Sequence, residues 1–247
     1  MQILTYIEEG QVQSLTLPPP DEEVMPGVQW GNCEKLFTPS YWVYQAHRRE
    51  KYIITHRLGN TLLEEIVACL LGGFGIPAEV GMAAFYEVRR QNCLIRRTCS
   101  AEKIYSILSL PLNIDGRKVK YRFAKQKAKY ISDAISKYNE MKNELCDALK
   151  VRSLLLKMTG IGPKTASWIT RNWFCSDDVA ILDIHIYRAG LIAGFFSAQD
   201  NVASDYFKLE NKFLNFSKSI KIKASTLDAI MWADMRTAHK TVSNHFS

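Results

Sequence analysis

The stretch from Leu154 to Arg188 reads LLLKMTGIGPKTASWITRNWFCSDDVAILDIHIYR, and it limits the fold more than any other part of the chain. Leu154, Leu155 and Met158 lie at helical spacing on one amphipathic face, and Thr165, Ala166, Trp168 and Ile169 open a second helix. Between them Gly160 and Gly162 permit a tight reversal. The unit over residues 152–174 is therefore helix, glycine hairpin, helix. A Cβ at either glycine would obstruct the reversal or hold a ligand off the backbone, and Ile161 between them anchors the turn. The amides around Gly160 to Lys164 would sit at a helix N-terminus without partners inside the helix, where one phosphate fits.

Two charged residues frame this unit. Lys164 stands at the start of the second helix, where the helix dipole disfavours a cation, so solubility alone is a poor reason for it. Asp183, nineteen positions later, follows the apolar run Val179 to Leu182 and precedes Ile184-His-Ile-Tyr. A carboxylate among residues that favour burial needs a partner. It also stands where an aspartate caps a helix opening near Ile184, a role compatible with chemistry.

Leu-x-x-Met-Thr-Gly-Ile-Gly-Pro-Lys followed by Leu-Asp-Ile-His-Ile-Tyr-Arg resembles the helix-hairpin-helix DNA glycosylase superfamily, strongly over about 35 residues and more loosely over residues 60–240. The resemblance implies a mainly α, two-lobed fold and a double-stranded DNA partner carrying a damaged or modified base. It implies that Lys164 attacks C1′ of the damaged nucleotide, and that Asp183 supports the attack and the developing positive sugar. It further implies phosphate contacts at Gly160, Gly162 and His185, and a sodium or potassium ion on the main-chain carbonyls of Leu156, Met158 and Ile161. No other cofactor is required.

The residue types suit that chemistry by themselves. Breaking an N-glycosidic bond builds cationic character on the sugar, which a carboxylate opposite C1′ stabilises. An amine nucleophile leaves a Schiff base on the sugar, and β-elimination then cuts the 3′ phosphodiester. A base inside a duplex shields C1′, so the nucleotide must be flipped into a pocket. Asp228 and Trp232 share one face of the last helix, and resemblance to the compact 8-oxoguanine glycosylases makes them contacts for an extruded purine. Core packing of Trp232 and a capping box of Ser225 with Asp228 are the plain alternatives. Phe74, in the glycine-rich turn after the helix opening at Thr61, is a candidate for the opposite face of the base, with core packing as its alternative. Gln29, beside Trp30 in a loop, is a candidate reader of a base edge.

Net charge agrees with such a partner: 32 Lys and Arg against 25 Asp and Glu give +7. The distribution says more, since Arg117 to Lys129 concentrates positive charge with Tyr121 and Phe123 interleaved, a face able to track phosphates or a solvated helix surface. Six cysteines lack any C-x-x-C pair and none follows Cys175, which argues against zinc and against the iron–sulfur cluster of the endonuclease III branch. Unpaired cysteines suit a reduced interior, and no signal peptide or long apolar span is present. The expectation is a soluble, intracellular monomer, cytoplasmic or nuclear.

Residues 2–17 suggest a β-hairpin, with Pro18 to Pro26 as an extended link, and the helical stretches beyond leave little room for a sheet. The division expected is an N-terminal part over 1–60 and a helical core over 61–247. The function expected is a bifunctional glycosylase and AP lyase of base excision repair acting on 8-oxoguanine. A glycosylase for another modified base, and a non-catalytic hairpin module that binds DNA or a protein, are the alternatives.

Overall fold

The computed structural model describes residues 1–49, 51, 57–73, 75–141 and 147–238. In chain order the first elements are β1 (Gln2–Glu8), β2 (Gln11–Leu17), β3 (Glu23–Met25), β4 (Val28–Gln29) and α1 (Pro39–Arg49). Then come α2 (Leu62–Leu71), α3 (Ala78–Arg90), α4 (Cys93–Arg96), α5 (Ala101–Leu108), β5 (Leu112–Ile114) and β6 (Arg117–Val119). The remainder is helical: α6 (Ala124–Glu140), α7 (Ala148–Leu155), α8 (Pro163–Phe174), α9 (Ile184–Ala193), α10 (Tyr206–Ser219) and α11 (Ala224–Thr237). Two compact units result, Met1–Thr55 with Cys175–Ser247, and His56–Phe174. Cys175–Ser247 groups with the N-terminal segment.

In the discontinuous unit, α1, α9, α10 and α11 surround a core that includes Trp42, Leu209, Phe213, Phe216, Leu227 and Met231. The expected hairpin is present, with β1 and β2 paired antiparallel around Glu9 and Gly10, both at positive φ. Such a two-residue turn matches the right-handed twist of the strands. Leu4 and Leu15 on its inner face pack against the core. Gln2 is buried, and its Nε2 donates to the carbonyls of Pro18 and Gly31 at 2.9 and 3.1 Å. The link expected from Pro18 to Pro26 is in part a second hairpin, β3 with β4, turning at Pro26 and Gly27.

The continuous unit packs α2 against α3, α6 and α8, with Leu63, Ile66, Phe85, Ile104, Ile131 and Ile169 buried in its core. Thr61 caps α2 by accepting from the Glu64 N–H at 3.2 Å. Little room for a sheet was expected beyond the link, but a hairpin of β5 and β6 precedes α6. Asp115 and Gly116, both at positive φ, form its turn. Asp-Gly favours a hairpin turn, and this signal stands in the sequence between Ile114 and Arg117, which pair across the two strands. Tyr121 does not line a charged face as expected: it is 1% exposed, and its hydroxyl donates to the Leu71 carbonyl at 2.6 Å. The Lys127 ammonium donates to the Gly72 carbonyl at 3.3 Å, so both residues serve carbonyls that the end of α2 leaves without helical partners.

Cys93 and Cys99 are paired across α4, which corrects the expectation of unpaired cysteines at those two positions; Cys33, Cys69 and Cys175 are unpaired. Among the described residues no helix is long and apolar enough to cross a membrane.

Candidate active site

The glycine hairpin has the form that its sequence dictates. Asp147 caps α7 by accepting from the Leu149 and Lys150 amides, each at 3.0 Å, and the helix gives way at Leu156 to a turn that reverses through Gly160. Met158 and Ile161 are 2% and 6% exposed, so the turn is anchored in the core at both positions. Gly160 has φ +88°, and a Cβ there would collide with the ring of Tyr130. Gly162 differs: its φ is ordinary, and a Cβ would meet nothing within 4 Å. The first glycine is needed by the fold, and the second leaves open space over the turn.

Pro163 opens α8, where a missing N–H costs nothing. Ile161 donates its amide inward to the Met158 carbonyl at 3.2 Å. The amide of Gly162 has no acceptor among the described residues, and it stands at the positive end of α8. Lys164 lies on the first turn of α8 and is exposed.

Helix α6 holds the other side of this turn. Asp133 accepts from the Thr159 N–H at 2.8 Å, and Lys137 donates to Asp133 at 2.9 Å and to the Lys157 carbonyl at 2.6 Å. Burial pushes the Asp133 carboxyl up, but the hydrogen bonds from Thr159 and Lys137 outweigh that and hold it below the usual carboxylate range. Sequence reading missed Tyr130, Asp133 and Lys137; their i, i+3, i+7 spacing marks one face of α6 without saying what the face meets. The ammonium on the Lys157 carbonyl shows one oxygen at this helix end taking a cationic donor, and the Met158 carbonyl accepts the Ile161 amide. Among the described residues no group of three or more His, Cys, Asp or Glu side chains is placed to hold a metal.

In the discontinuous unit, Val179 to Leu182 runs to Asp183 as buried chain outside any helix or strand. Such a segment leaves its amides to be satisfied by side chains. Glu210 of α10 accepts from Ala180 N–H at 3.0 Å, Asp228 of α11 accepts from Ile181 N–H at 3.3 Å, and the Tyr206 hydroxyl accepts from Leu182 N–H at 3.2 Å while donating to the Ala180 carbonyl at 2.9 Å. Asp183 then caps α9, its Oδ1 accepting from the His185 and Ile186 amides at 2.8 and 3.0 Å. The capping position expected for Asp183 is the one it takes. Its half-exposed carboxylate is thereby fixed by its own cap and by the braced chain before it.

The remaining candidates fall as follows. Asp228 is 2% exposed, and the capping box expected for it is absent: α11 starts at Ala224 after Lys223, with no side-chain cap bond. Trp232, one turn on, is not core: it is 40% exposed, and the Arg236 guanidinium lies 4.5 Å from its ring centre. Gln29 is exposed and belongs to β4, paired with Glu23, where a loop was expected. Phe74 lies outside the described residues. Sequence reading also missed Tyr206 and Glu210, whose only signal is polarity on the buried face of an amphipathic helix.

A family model of the 8-oxoguanine DNA glycosylase domain matches residues 46–222, which take in the hairpin, Lys164, Asp183 and His185. The chain belongs to the 8-oxoguanine DNA glycosylase family. An 8-oxoguanine DNA glycosylase/AP lyase of Metallosphaera sedula is 32% identical over 117 residues, 45% of this chain and 57% of that one, so the match spans less than two thirds of the relative. The fold is also that of solved 8-oxoguanine DNA glycosylases. The enzyme of Methanocaldococcus jannaschii is 22% identical with a TM-score of 0.55, covering 78% of this chain and 90% of its own. That of Thermotoga maritima is 21% identical with a TM-score of 0.56, covering 78% and 94%. Asp228 and Trp232 lie beyond the stretch that the family model matches.

Proposed function

We propose that this member of the 8-oxoguanine DNA glycosylase family is a bifunctional DNA glycosylase and AP lyase, acting as a monomer on double-stranded DNA that carries an oxidised purine, with 8-oxoguanine as the base removed. The observation that carries this reading is the pair of Lys164 on the first turn of α8 and Asp183 as the braced cap of α9, both inside the matched family region. The Lys164 amine attacks C1′ of the flipped nucleotide, and the glycosidic bond breaks as the base leaves with its electron pair. The Asp183 carboxylate stabilises positive charge on the sugar. Loss of the attacking amine's proton and opening of the sugar ring yield a Schiff base; removal of a C2′ proton then expels the 3′ phosphate.

Binding is divided among the other candidates. The Gly162 amide and the dipole of α8 receive a backbone phosphate, over which neither Gly160 nor Gly162 places a side chain, and His185 meets a second phosphate. Trp232 supplies an exposed ring for stacking, with Asp228 on the same helix face and Gln29 as a reader of a base edge. The carbonyls of Leu156, Met158 and Ile161 would hold a sodium or potassium ion, which would stiffen the turn; no step of the reaction runs through it.

Borohydride trapping on a duplex with 8-oxoguanine opposite cytosine, beside undamaged and abasic duplexes, tests the reading. A covalent adduct on the lesion duplex that disappears in Lys164→Gln is the expected result. An adduct on the abasic duplex alone would discard 8-oxoguanine and keep the amine chemistry. Strand cleavage that survives Lys164→Gln would refute the assignment of the nucleophile.

A further inference from the structure

Seven of the 32 Lys and Arg fall between Arg117 and Lys129 with no Asp or Glu among them, and the 25 that remain equal the 25 Asp and Glu of the chain. The whole net charge of +7 therefore resides in one stretch. The structure sorts that stretch. Lys127 is half-buried and turned to the Gly72 carbonyl, and burial lowers its pKa. The other six, Arg117, Lys118, Lys120, Arg122, Lys125 and Lys129, are exposed, and none has an ion-pair partner among the described residues. Arg90, exposed on α3, by contrast pairs with Glu87 at 2.7 Å.

Placement gives the patch a direction. Lys125, Lys129 and Asp133 follow one another at four-residue spacing on one stripe of α6, and Asp133 holds the Thr159 amide in the hairpin turn. The stripe thus leads from the turn to Lys125 over about 12 Å, the reach of roughly three to four phosphates of one strand. Arg122, three residues before Lys125, extends it, its guanidinium 5.2 Å from the Phe123 ring centre, and the β5–β6 hairpin carries it on to Arg117.

We propose that this ribbon, from the β5–β6 hairpin along α6 to the glycine hairpin, is a second DNA-backbone surface that grips the duplex outside the lesion, resting on the reading of the hairpin as a phosphate site. It takes phosphodiester oxygens and reads no base. Each phosphate neutralised releases counterions, so the surface sets the salt dependence of binding to any duplex.

The test is fluorescence anisotropy of a labelled undamaged duplex over a salt series, with the combined variant Arg122→Gln, Lys125→Gln, Lys129→Gln. The slope of log Kd on log salt falls by about 0.9 for each phosphate that the variant no longer neutralises, so by roughly two to three. The weakening is equal on damaged and undamaged duplexes. A control variant, Lys208→Gln, Lys218→Gln, Lys221→Gln, also neutralises three exposed lysines and leaves the slope as it was. An unchanged slope in the first variant, or an equal fall in the control, would overturn the proposal. A lowered slope in a protein that traps no Schiff base supports the surface and refutes the catalytic reading, whereas trapping with an unmoved slope does the reverse.

Discussion

At the scale of single residues the two hairpin glycines do different work. Gly160 combines positive φ with a Tyr130 ring where a Cβ would stand, so both backbone and packing oppose a side chain. Gly162 meets neither objection, and what its missing Cβ leaves is space beside an amide at a helix N-terminus. Gly160→Ala is expected to lower stability by about 1–3 kcal/mol, the range for strained backbone, in urea unfolding. Gly162→Ala should unfold at the parent's midpoint and bind duplex about tenfold more weakly, the loss of roughly one charge-assisted hydrogen bond. Equal loss of stability in both variants would show that the second glycine serves the fold as well. The sequence places both glycines in one turn, but their separate duties depend on Tyr130, thirty positions earlier, and no local pattern reveals that approach.

Among elements, the helix opposite the hairpin is what local reading could least supply. Spacing announces α7 and α8 with their reversal, and the Asp183 cap follows from a carboxylate standing before Ile184. Contacts from α6 to the turn, and from α10 and α11 to Val179–Leu182, join positions distant in sequence, so periodicity gives the faces and not their partners. Asp133 offers a measurement of one such joint. Its folded pKa lies below its ordinary value of 3.8, so its charge stabilises the fold fully above that value and the contribution is lost as pH falls through the lower, folded pKa. Asp133→Asn should therefore cost about 1 kcal/mol at neutral pH, a charged hydrogen bond discounted for partial exposure. Urea midpoints of parent and variant should converge below about pH 4. A gap that persists in acid would mean that shape, not charge, fixes Asp133 on Thr159.

For the whole molecule, the chain path has a consequence that the helix pattern conceals. The continuous unit, His56–Phe174, owns its core, since every member from Leu62 to Ile169 lies within it. The other unit takes Leu17, Val28, Phe37, Trp42, Val43 and Ala46 from one end of the chain and packs them with residues from Ala180 to Met235 at the other. Trp42 is fully buried there, its ring 5.4 Å from that of Phe37. The hydrophobic pattern of residues 184–237 looks sufficient for a bundle, so a sequence division near residue 60 assigns to one helical core what the fold shares out between both ends. A fragment of residues 56–174 is accordingly expected to unfold in one cooperative thermal transition by circular dichroism. A fragment of residues 175–247 lacks the aromatic and aliphatic groups of the first segment, a deficit of about 1.5–3 kcal/mol for each large side chain left unburied. It should give helical signal without a cooperative transition, and adding the peptide 1–55 should restore one. A cooperative melt of 175–247 alone would show that the N-terminal segment covers a core it does not help to build.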